Sequence, residues 1–369
     1  MTVWIQNPFD SLPFEGHRKQ RYWLMAEAFV RAGHQVVYWT SDFSHAKKSA
    51  RMENADWFGD FDVRYIPTVP YSRNVSFKRI KSHQAYAREW MRIAAAEPPP
   101  ALIITSIPSI SAAEAAITLG QKFNARVVVD VMDAWPETFV RLAPRGLRWL
   151  MSLLLLPLKC RARRIYRAAD RVVGVAERYR EIVRRADYLT ARHGIELSAA
   201  KVPRTDDRKG IHLVYAGNLG RTYDLDTVVR AVEQNSDFEL DVAGFGKFTT
   251  KCDRVRFHGM LSATDLRTLL SDCDIGIVPM KDESFVGIPY KFCDYAEAGL
   301  KIVSSLRGES AALLSKYGCG EVYNPGEVDD FVRAVRASAK MEEGAARKMC
   351  ESEFDAHRIY DALVRALVK

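Results

Sequence analysis

The segment that most constrains the fold runs from Val278 to Leu306, where an apolar run meets a Gly-Ile-Pro loop, a short helical pattern, a glycine and a second apolar run. Pro289 suits the first turn of a helix, because the N–H it lacks would be unpaired there anyway, and Gly299 suits the left-handed residue that closes one. The pattern predicts a buried strand, a helix from about Pro289 to Ala298, and a strand resuming at Ile302. Chemistry belongs in the loop. Lys291 and Asp294 are three apart and share one face of the first helical turn, so a helix N-terminus, a cation and a carboxylate converge as a diphosphate-and-sugar site would require. The same spacing also fits an ordinary surface salt bridge.

The order of strand, loop, helix, glycine and strand recurs from the start of the chain. Val3 to Gln6 reads as a strand, Asn7 to Gly16 as a loop, Arg18 to Ala32 as a helix ended by Gly33, and Gln35 to Thr40 as the next strand. Such βαβ units call for a parallel sheet covered by helices. A helix over Phe77 to Ala96 and strands at Ala101 to Ser106, Val127 to Val131 and Ala169 to Val175 extend the pattern, followed by a charged helical stretch from Ala176 to Lys201. The polar segment Lys201 to Lys209, with Pro203 and Asp206-Asp207, reads as a domain boundary. Beyond it come a strand at Ile211 to Ala216, the turn Gly217-Asn218-Leu219-Gly220-Arg221, a helix at Leu225 to Gln234, a strand running from Glu239 into Gly244-Phe245-Gly246, and strands at Val255 to His258 and Ile275 to Pro279. With 369 residues the chain exceeds one ordinary core. The predicted class is α/β, with two doubly wound Rossmann-like domains at 1–203 and 204–352. A final helix in 353–369, with a stripe of Ile359, Leu363, Ala366 and Leu367, packs back on the N-terminal domain.

The charge is local. Residues 141–185 hold thirteen Lys and Arg against three acids, so +10 sits there and −2 remains for the rest of a chain whose net charge is +8. No motif that reads nucleic acid accompanies it, and nucleic acid is not an expected partner. Within this region Trp149 to Leu158 is a run of ten residues, nine of them apolar or proline, flanked by Arg145, Arg148, Lys159, Arg161, Arg163 and Arg164. Ten residues cannot span a hydrocarbon core of about 30 Å. Segment 145–167 therefore either lies in the interface of an anionic membrane with its cations on lipid phosphates, or forms a buried helix with a solvated basic end. The six cysteines are scattered without metal-ligand spacing, which suggests reduced core thiols of a cytoplasmic protein, and no metal is expected. The N-terminus lacks the charged-then-apolar order of a signal peptide and reads as the first strand.

Three further groups carry chemistry. Gly16 stands at the carboxyl edge of the first strand, where open α/β sheets bind ligands. Asp133-Ala134-Trp135-Pro136-Glu137 follows a buried strand and offers two carboxylates and an indole to a sugar, although an acidic turn capped by proline would look alike. Gly217 to Gly220 follows another strand and opens onto a helix, the usual approach of backbone amides to phosphate, but two glycines alone are a weak signal.

Together these stretches resemble the retaining GT-B glycosyltransferases of family 4, in particular the bacterial branch that builds surface polysaccharides. Pro289-Tyr290-Lys291-Phe292-Cys293-Asp294-Tyr295-Ala296-Glu297-Ala298-Gly299 is similar to the branch's Pro-x-Lys-x-x-acid-Tyr-x-x-Ala-Gly signature, and Asp133 to Glu137 to its Asp-x-Trp-Pro-Glu motif. Gly16, Arg21-Tyr22 and Gly33-His34-Gln35-Val36 are similar to its N-terminal pattern, and Ala216 to Gly220 is a weaker match. The resemblance implies a nucleotide-sugar donor on the second domain, a glycan or lipid-linked acceptor on the first, and an active site in the cleft between them. It places donor contacts at Gly217, Asn218, Gly220, Arg221, Gly246, Lys291 and Asp294, and acceptor contacts at Gly16, Arg18, Arg21, Trp135 and Glu137. Lys291 is the catalytic cation, and Asp133 and His17 orient the acceptor, although His17 also fits a simple loop residue. The family's second acid falls on Val286, with Asp282 and Glu283 upstream, and Asn218 and Asp224 stand where its loop cations usually are, which leaves Arg221 and Lys291 to meet the diphosphate. The expected location is the cytoplasm, peripheral to the inner face of the membrane. A nucleotide-sugar epimerase or hydrolase, and a non-catalytic sugar-nucleotide-binding subunit, are the competing readings.

Overall fold

Leu102–Ile107 is buried at every position, and Arg126–Val131 at every position but the first. Such strands have both faces covered, and they sit at the middle of a parallel sheet. In the computed structural model, which describes residues 1–15, 18–51, 59–73, 76–198, 209–220, 222–246, 249–281 and 285–369, the chain divides into two units. The first comprises residues 1–192 and 357–369, the second 193–356.

In the first unit the strands are β1 (Thr2–Gln6), β2 (Gln35–Ser41), β3 (Phe43–Ser44), β4 (Ser49–Ala50), β5 (Asp62–Ile66), β6 (Leu102–Ile107), β7 (Arg126–Val131), β8 (Arg171–Gly174) and β9 (Leu189–Thr190). Seven of them form one sheet in the order β5-β2-β1-β6-β7-β8-β9, and every pairing is parallel. The antiparallel pair β3–β4 stands apart from it. The strand order reverses between β1 and β6, so the crevice for a ligand opens at their carboxyl ends, where Asn7 donates to Ser106 Oγ at 3.2 Å.

The second unit repeats the plan with β10 (Ile211–Ala216), β11 (Phe238–Ala243), β12 (Val255–Gly259), β13 (Ile275–Val278), β14 (Lys301–Ser304) and β15 (Gly320–Val322), in the order β12-β11-β10-β13-β14-β15. Its pairings are all parallel too, and its order reverses between β10 and β13. The helix of the opening segment spans Tyr290–Ala298, with Pro289 as its extended N-cap and Gly299 left-handed at φ 81°.

Several expectations need correction. The unit boundary falls after Arg192 rather than in the polar stretch 201–209, most of which lies outside the described residues. The reason is pairing: Ile195 N–H donates to Phe354 O and Ala356 N–H to Ile195 O, which ties 193–198 into the second unit. The stretch after Ala176 is not one helix. It gives two short turns, stops at left-handed Arg184, and yields the edge strand β9. The N-terminal helix begins at Arg21, not Arg18, because Gln20 is extended. On the last helix, Ala356–Val368, the buried stripe is Tyr360, Leu363, Val364 and Leu367, while Ala366 is exposed. This helix belongs to the first unit, and Asp361 accepts from Arg31 at 2.7 Å.

Segment 145–167 forms the helices Arg148–Leu154 and Leu156–Ala168. The latter buries Ala162, Ile165 and Tyr166, but Leu147, Trp149, Leu153, Leu154 and Leu156 lie exposed. The buried-helix alternative therefore fails for the leucine run. Cys160 on the same helix is exposed rather than a core thiol, whereas Cys273, Cys293, Cys319 and Cys350 are buried. Among the described residues no helix is long and apolar enough to cross a membrane.

Candidate active site

In the second unit, the turn after β10 and the helix after β13 meet at Lys291. The turn is shaped by close backbone contacts. Gly217 N–H donates to Ala243 O at 2.9 Å and Leu219 N–H to Phe245 O at 3.0 Å, which lays 217–219 alongside the residues leaving β11. A Cβ on Gly244, whose φ is 144°, would stand 1.8 Å from Gly217 O, so only glycine permits this approach. Two of the turn's amides are thus spent inside the protein, and an anion has fewer of them to use than the glycine pattern suggested.

Further along, Asp224 N–H donates to Pro279 O at 2.7 Å and Lys281 N–H to Thr222 O at 2.9 Å. This zipper carries Tyr223 over Lys291. The Lys291 Nζ lies 3.9 Å from the Tyr223 ring centroid, 4.1 Å from that of Tyr215, and donates to Tyr215 Oη at 3.0 Å. A Cβ on Gly217 would come within 2.9 Å of the same nitrogen. Lys291 is only 8% exposed, and burial pushes its ammonium down to about 7. The two π-faces attract a cation but replace little of the lost hydration. An anion placed beside it would favour the charged form.

The neighbouring signature residues divide by role. Tyr295 is fully buried and accepts from Ala216 N–H at 2.7 Å, binding the helix to the end of β10, and Gly276 is small because this ring lies against it. Glu297 accepts from Arg347 at 3.1 Å and from Ser198, which ties the helix to 193–198. Asp294 is half-buried, one turn beyond Lys291. Asp224 is buried and holds Thr227 Oγ1 and Gly326 N–H, each at 2.9 Å, so it serves the scaffold. Asn218 is exposed, Gly220 and Gly246 stand on the two facing turns, and Val286 packs on the core. Arg221, Asp282 and Glu283 lie outside the described residues.

In the first unit Asp133 follows β7. Burial raises its carboxyl above the ordinary range, opposed by Ala134 N–H, Thr138 Oγ1, Trp135 and the charge of Arg79. The Trp135–Pro136 bond is cis. The indole of Trp135 meets Phe139 edge-on at 4.7 Å, and the Arg79 guanidinium lies 5.0 Å from its centroid. Glu137 opens a short helix; burial raises its carboxyl, and its Oε2 has no hydrogen-bond partner among the described residues. Arg18 is half-buried, and Gly16 and His17 lie outside the described residues.

Arg21 departs from the acceptor-contact expectation. It is fully buried, grips Asp130 through Nε at 2.6 Å and a terminal nitrogen at 2.9 Å, and donates to Ala191 O and Arg192 O at 2.7 and 3.0 Å. Its task is to fasten the N-terminal helix to β7 and to the end of the unit. Sequence reasoning missed Tyr215 and Tyr223, although each stands just outside the glycine turn. It also missed Arg79 and His83, whose helix carries no motif.

A family model for glycosyl transferases group 1 matches residues 189–340, and one for a glycosyl transferase 4-like domain matches residues 19–193. These matches tile both doubly wound units, and the protein is a glycosyltransferase of the GT-B fold. Among solved structures, sucrose-phosphate synthase from Thermosynechococcus elongatus superposes with a TM-score of 0.75 at 15% identity, covering 100% of this chain and 99% of that one. The Anabaena protein HepE in complex with UDP and glucose gives 0.69 at 12% identity, with 100% and 99% covered. A glycosyltransferase from Rickettsia africae gives 0.61 at 12% identity, with 99% and 97% covered. At such identities the likeness is one of fold. No curated protein matches the sequence.

Proposed function

We propose that this transferase moves a sugar, with retention of configuration, from a nucleoside diphosphate sugar to a lipid-linked or polysaccharide acceptor in cell-surface glycan synthesis. The observation that carries the donor half is the buried Lys291 ammonium between the Tyr215 and Tyr223 rings, beneath the glycine turn. As the bond from the anomeric carbon to the diphosphate oxygen breaks, negative charge grows on the leaving group, and a preorganised cation in a dry site stabilises that charge most. The acceptor hydroxyl oxygen forms the new bond, and its proton passes to the departing phosphate oxygen. Asp133, at the carboxyl end of β7, orients the acceptor. That HepE was solved with UDP-glucose supports the donor class.

The acceptor half draws on the helices Arg148–Leu154 and Leu156–Ala168. Trp149 is 69% exposed and Leu154 65%, and Arg145, Arg148, Lys159, Arg163 and Arg164 belong to the same stretch. Apolar side chains open to solvent among cations suit the interface of an anionic membrane, which would place the enzyme beside a lipid-borne acceptor. A thermal-shift screen with UDP-, GDP- and dTDP-sugars tests the donor class, since a ligand that binds only the folded chain raises its melting temperature. One nucleotide family is expected to shift it; no shift with any of them would reject the proposal. Free sugar or an isomer appearing without acceptor would favour the hydrolase or epimerase reading.

A further inference from the structure

A second cluster of nitrogen bases lies in the first unit, and the donor chemistry does not use it. A small, open depression is lined by Pro8, Phe9, Thr68, Tyr71, Ser82 and His83, at the carboxyl ends of β1, β2 and β5. That is the edge at which a doubly wound sheet takes its ligands. His83 is part of this lining, and two elements bring further bases against its Phe9 and Tyr71 rings. From the helix Phe77–Ala94, Arg79 donates to His83 Nε2 at 3.3 Å, its guanidinium 5.5 Å from the Phe9 ring and 5.0 Å from that of Trp135. From the β3–β4 turn, Lys48 Nζ lies 3.3 Å from His45 Nδ1 and 4.8 Å from the Tyr71 ring, and His45 Nδ1 also meets Tyr71 Oη. Lys48 takes a left-handed backbone, φ 57°, that a non-glycine residue rarely adopts.

The electrostatics agree with the geometry. Burial, then the neighbouring cations Lys48, Arg79 and Arg51, push His45 down to about 3; burial, then Arg79 and His45, do the same to His83. Burial, then Arg79, lowers Lys48 to about 8, and burial lowers Arg79 itself against the pull of Tyr71 and Asp133. Of the nearby acids, Asp42 is engaged by Thr68, and Asp133 shares the field of Arg79. Every base in the cluster is held below its ordinary affinity for protons, and each would be relieved by an anion with several acceptor oxygens. Tyr71 Oη and the imidazole N–H groups add neutral donors, while Phe9 provides a flat apolar wall.

We propose that the bases at the rim of this depression, Arg79, Lys48, His45 and His83, bind a phosphate group carried by the acceptor, with the acceptor hydroxyl turned toward Asp133. The proposal rests on the transferase reading above and names the acceptor's chemical class. A lipid-linked sugar and a soluble sugar phosphate both offer this group.

Calorimetric titration of the full chain with glucose 6-phosphate and with geranyl diphosphate, beside glucose and geraniol, tests it. At least one phosphate compound is expected to bind well above its uncharged counterpart, and about tenfold or more weaker in Arg79→Gln and in Lys48→Gln, the effect of losing one charge-assisted hydrogen bond. Lys291→Gln, which alters the other unit, is expected to leave this binding within about twofold of the wild type, which excludes capture at the donor site. A preference for glucose 6-phosphate assigns a soluble acceptor, and one for geranyl diphosphate a lipid-borne acceptor. Equal affinity in the wild type and the Arg79 and Lys48 variants, or no gain over glucose and geraniol, overturns the proposal. Phosphate binding without any nucleotide-sugar binding would instead overturn the donor reading and leave this one standing.

Discussion

The Lys291 ammonium and the Tyr215 phenol form a buried pair in which Nζ donates to Oη at 3.0 Å, while the phenol in turn donates to Asn218 O. The helix after β13 is thereby coupled to the turn after β10. Burial makes the charge of this lysine sensitive to its surroundings.

Removing that lysine should cost affinity before it costs structure. Lys291→Ala is expected to weaken the bound nucleotide sugar by about tenfold to a hundredfold, the range of a charge-assisted hydrogen bond to a buried anion. Calorimetry with the nucleotide sugar that gives the largest thermal shift checks this, and unchanged affinity would refute the assignment of Lys291 to the diphosphate.

The same residue makes folding stability depend on pH. Its folded pKa of about 7 lies below the ordinary 10.5, so between those values the unfolded chain holds a proton that the folded chain lacks. The contribution of Lys291 to stability therefore rises with pH from about 7 to 10.5, and the cost of burying it charged is complete below 7. In Lys291→Met, denaturant midpoints should lose this component of the slope, leaving a variant more stable than the wild type at pH 6. Equal pH dependence of the two proteins would contradict the burial argument.

Arg21 and Asp130 predict a structural phenotype. Both are essentially unexposed and joined by two hydrogen bonds, so either single replacement leaves a buried charge without its partner. Arg21→Met or Asp130→Leu should destabilise the chain by about 3–5 kcal/mol, and the double replacement Arg21→Met with Asp130→Leu by less than the sum of the single effects. Chemical denaturation measures both quantities. Full stability in Arg21→Met would return this residue to the pool of acceptor contacts.

Trp149 reports on the membrane. It is the most exposed tryptophan among the described large apolar residues, and an indole entering an acyl boundary shifts its emission to the blue. Vesicles rich in phosphatidylserine should produce that shift and sediment the protein at low salt, with both effects fading at high salt as screening shortens the reach of the surrounding arginines. Trp149→Ser with Leu154→Ser should abolish sedimentation. A protein indifferent to vesicles would remove the membrane from the proposal and leave the transferase chemistry intact.

Many of the strands and helices were legible because their signal is local. Ile211–Ala216 and Leu225–Gln234 fall where the apolar period places them, and Gly299 closes its helix in the left-handed conformation its position called for. Lys291 was legible for the same reason: a strand end, a proline and a helical turn lie within fifteen residues of one another. The stretch 177–198 was misread because its charged residues satisfy a helical pattern, while pairing with β8 and with 354–356 decides its shape. Arg21 was misplaced because nothing within its own helix reveals that Asp130, 109 positions away, waits to receive it.

Sequence by itself thus determined the α/β class, the two parallel sheets and the lysine at the head of one helix, since each follows from periodicity and from the backbone habits of proline and glycine. Only the tertiary structure decided which charged groups are consumed by the scaffold and which are gathered beside aromatic rings or other bases. Arg21 and Asp224 vanish into hydrogen bonds, while Lys291 gains two aromatic walls and Arg79 joins a cluster with His45, Lys48 and His83. The reason is that burial and charge pairing depend on distance in space, and residues far apart in sequence come together only in the folded unit to which they belong.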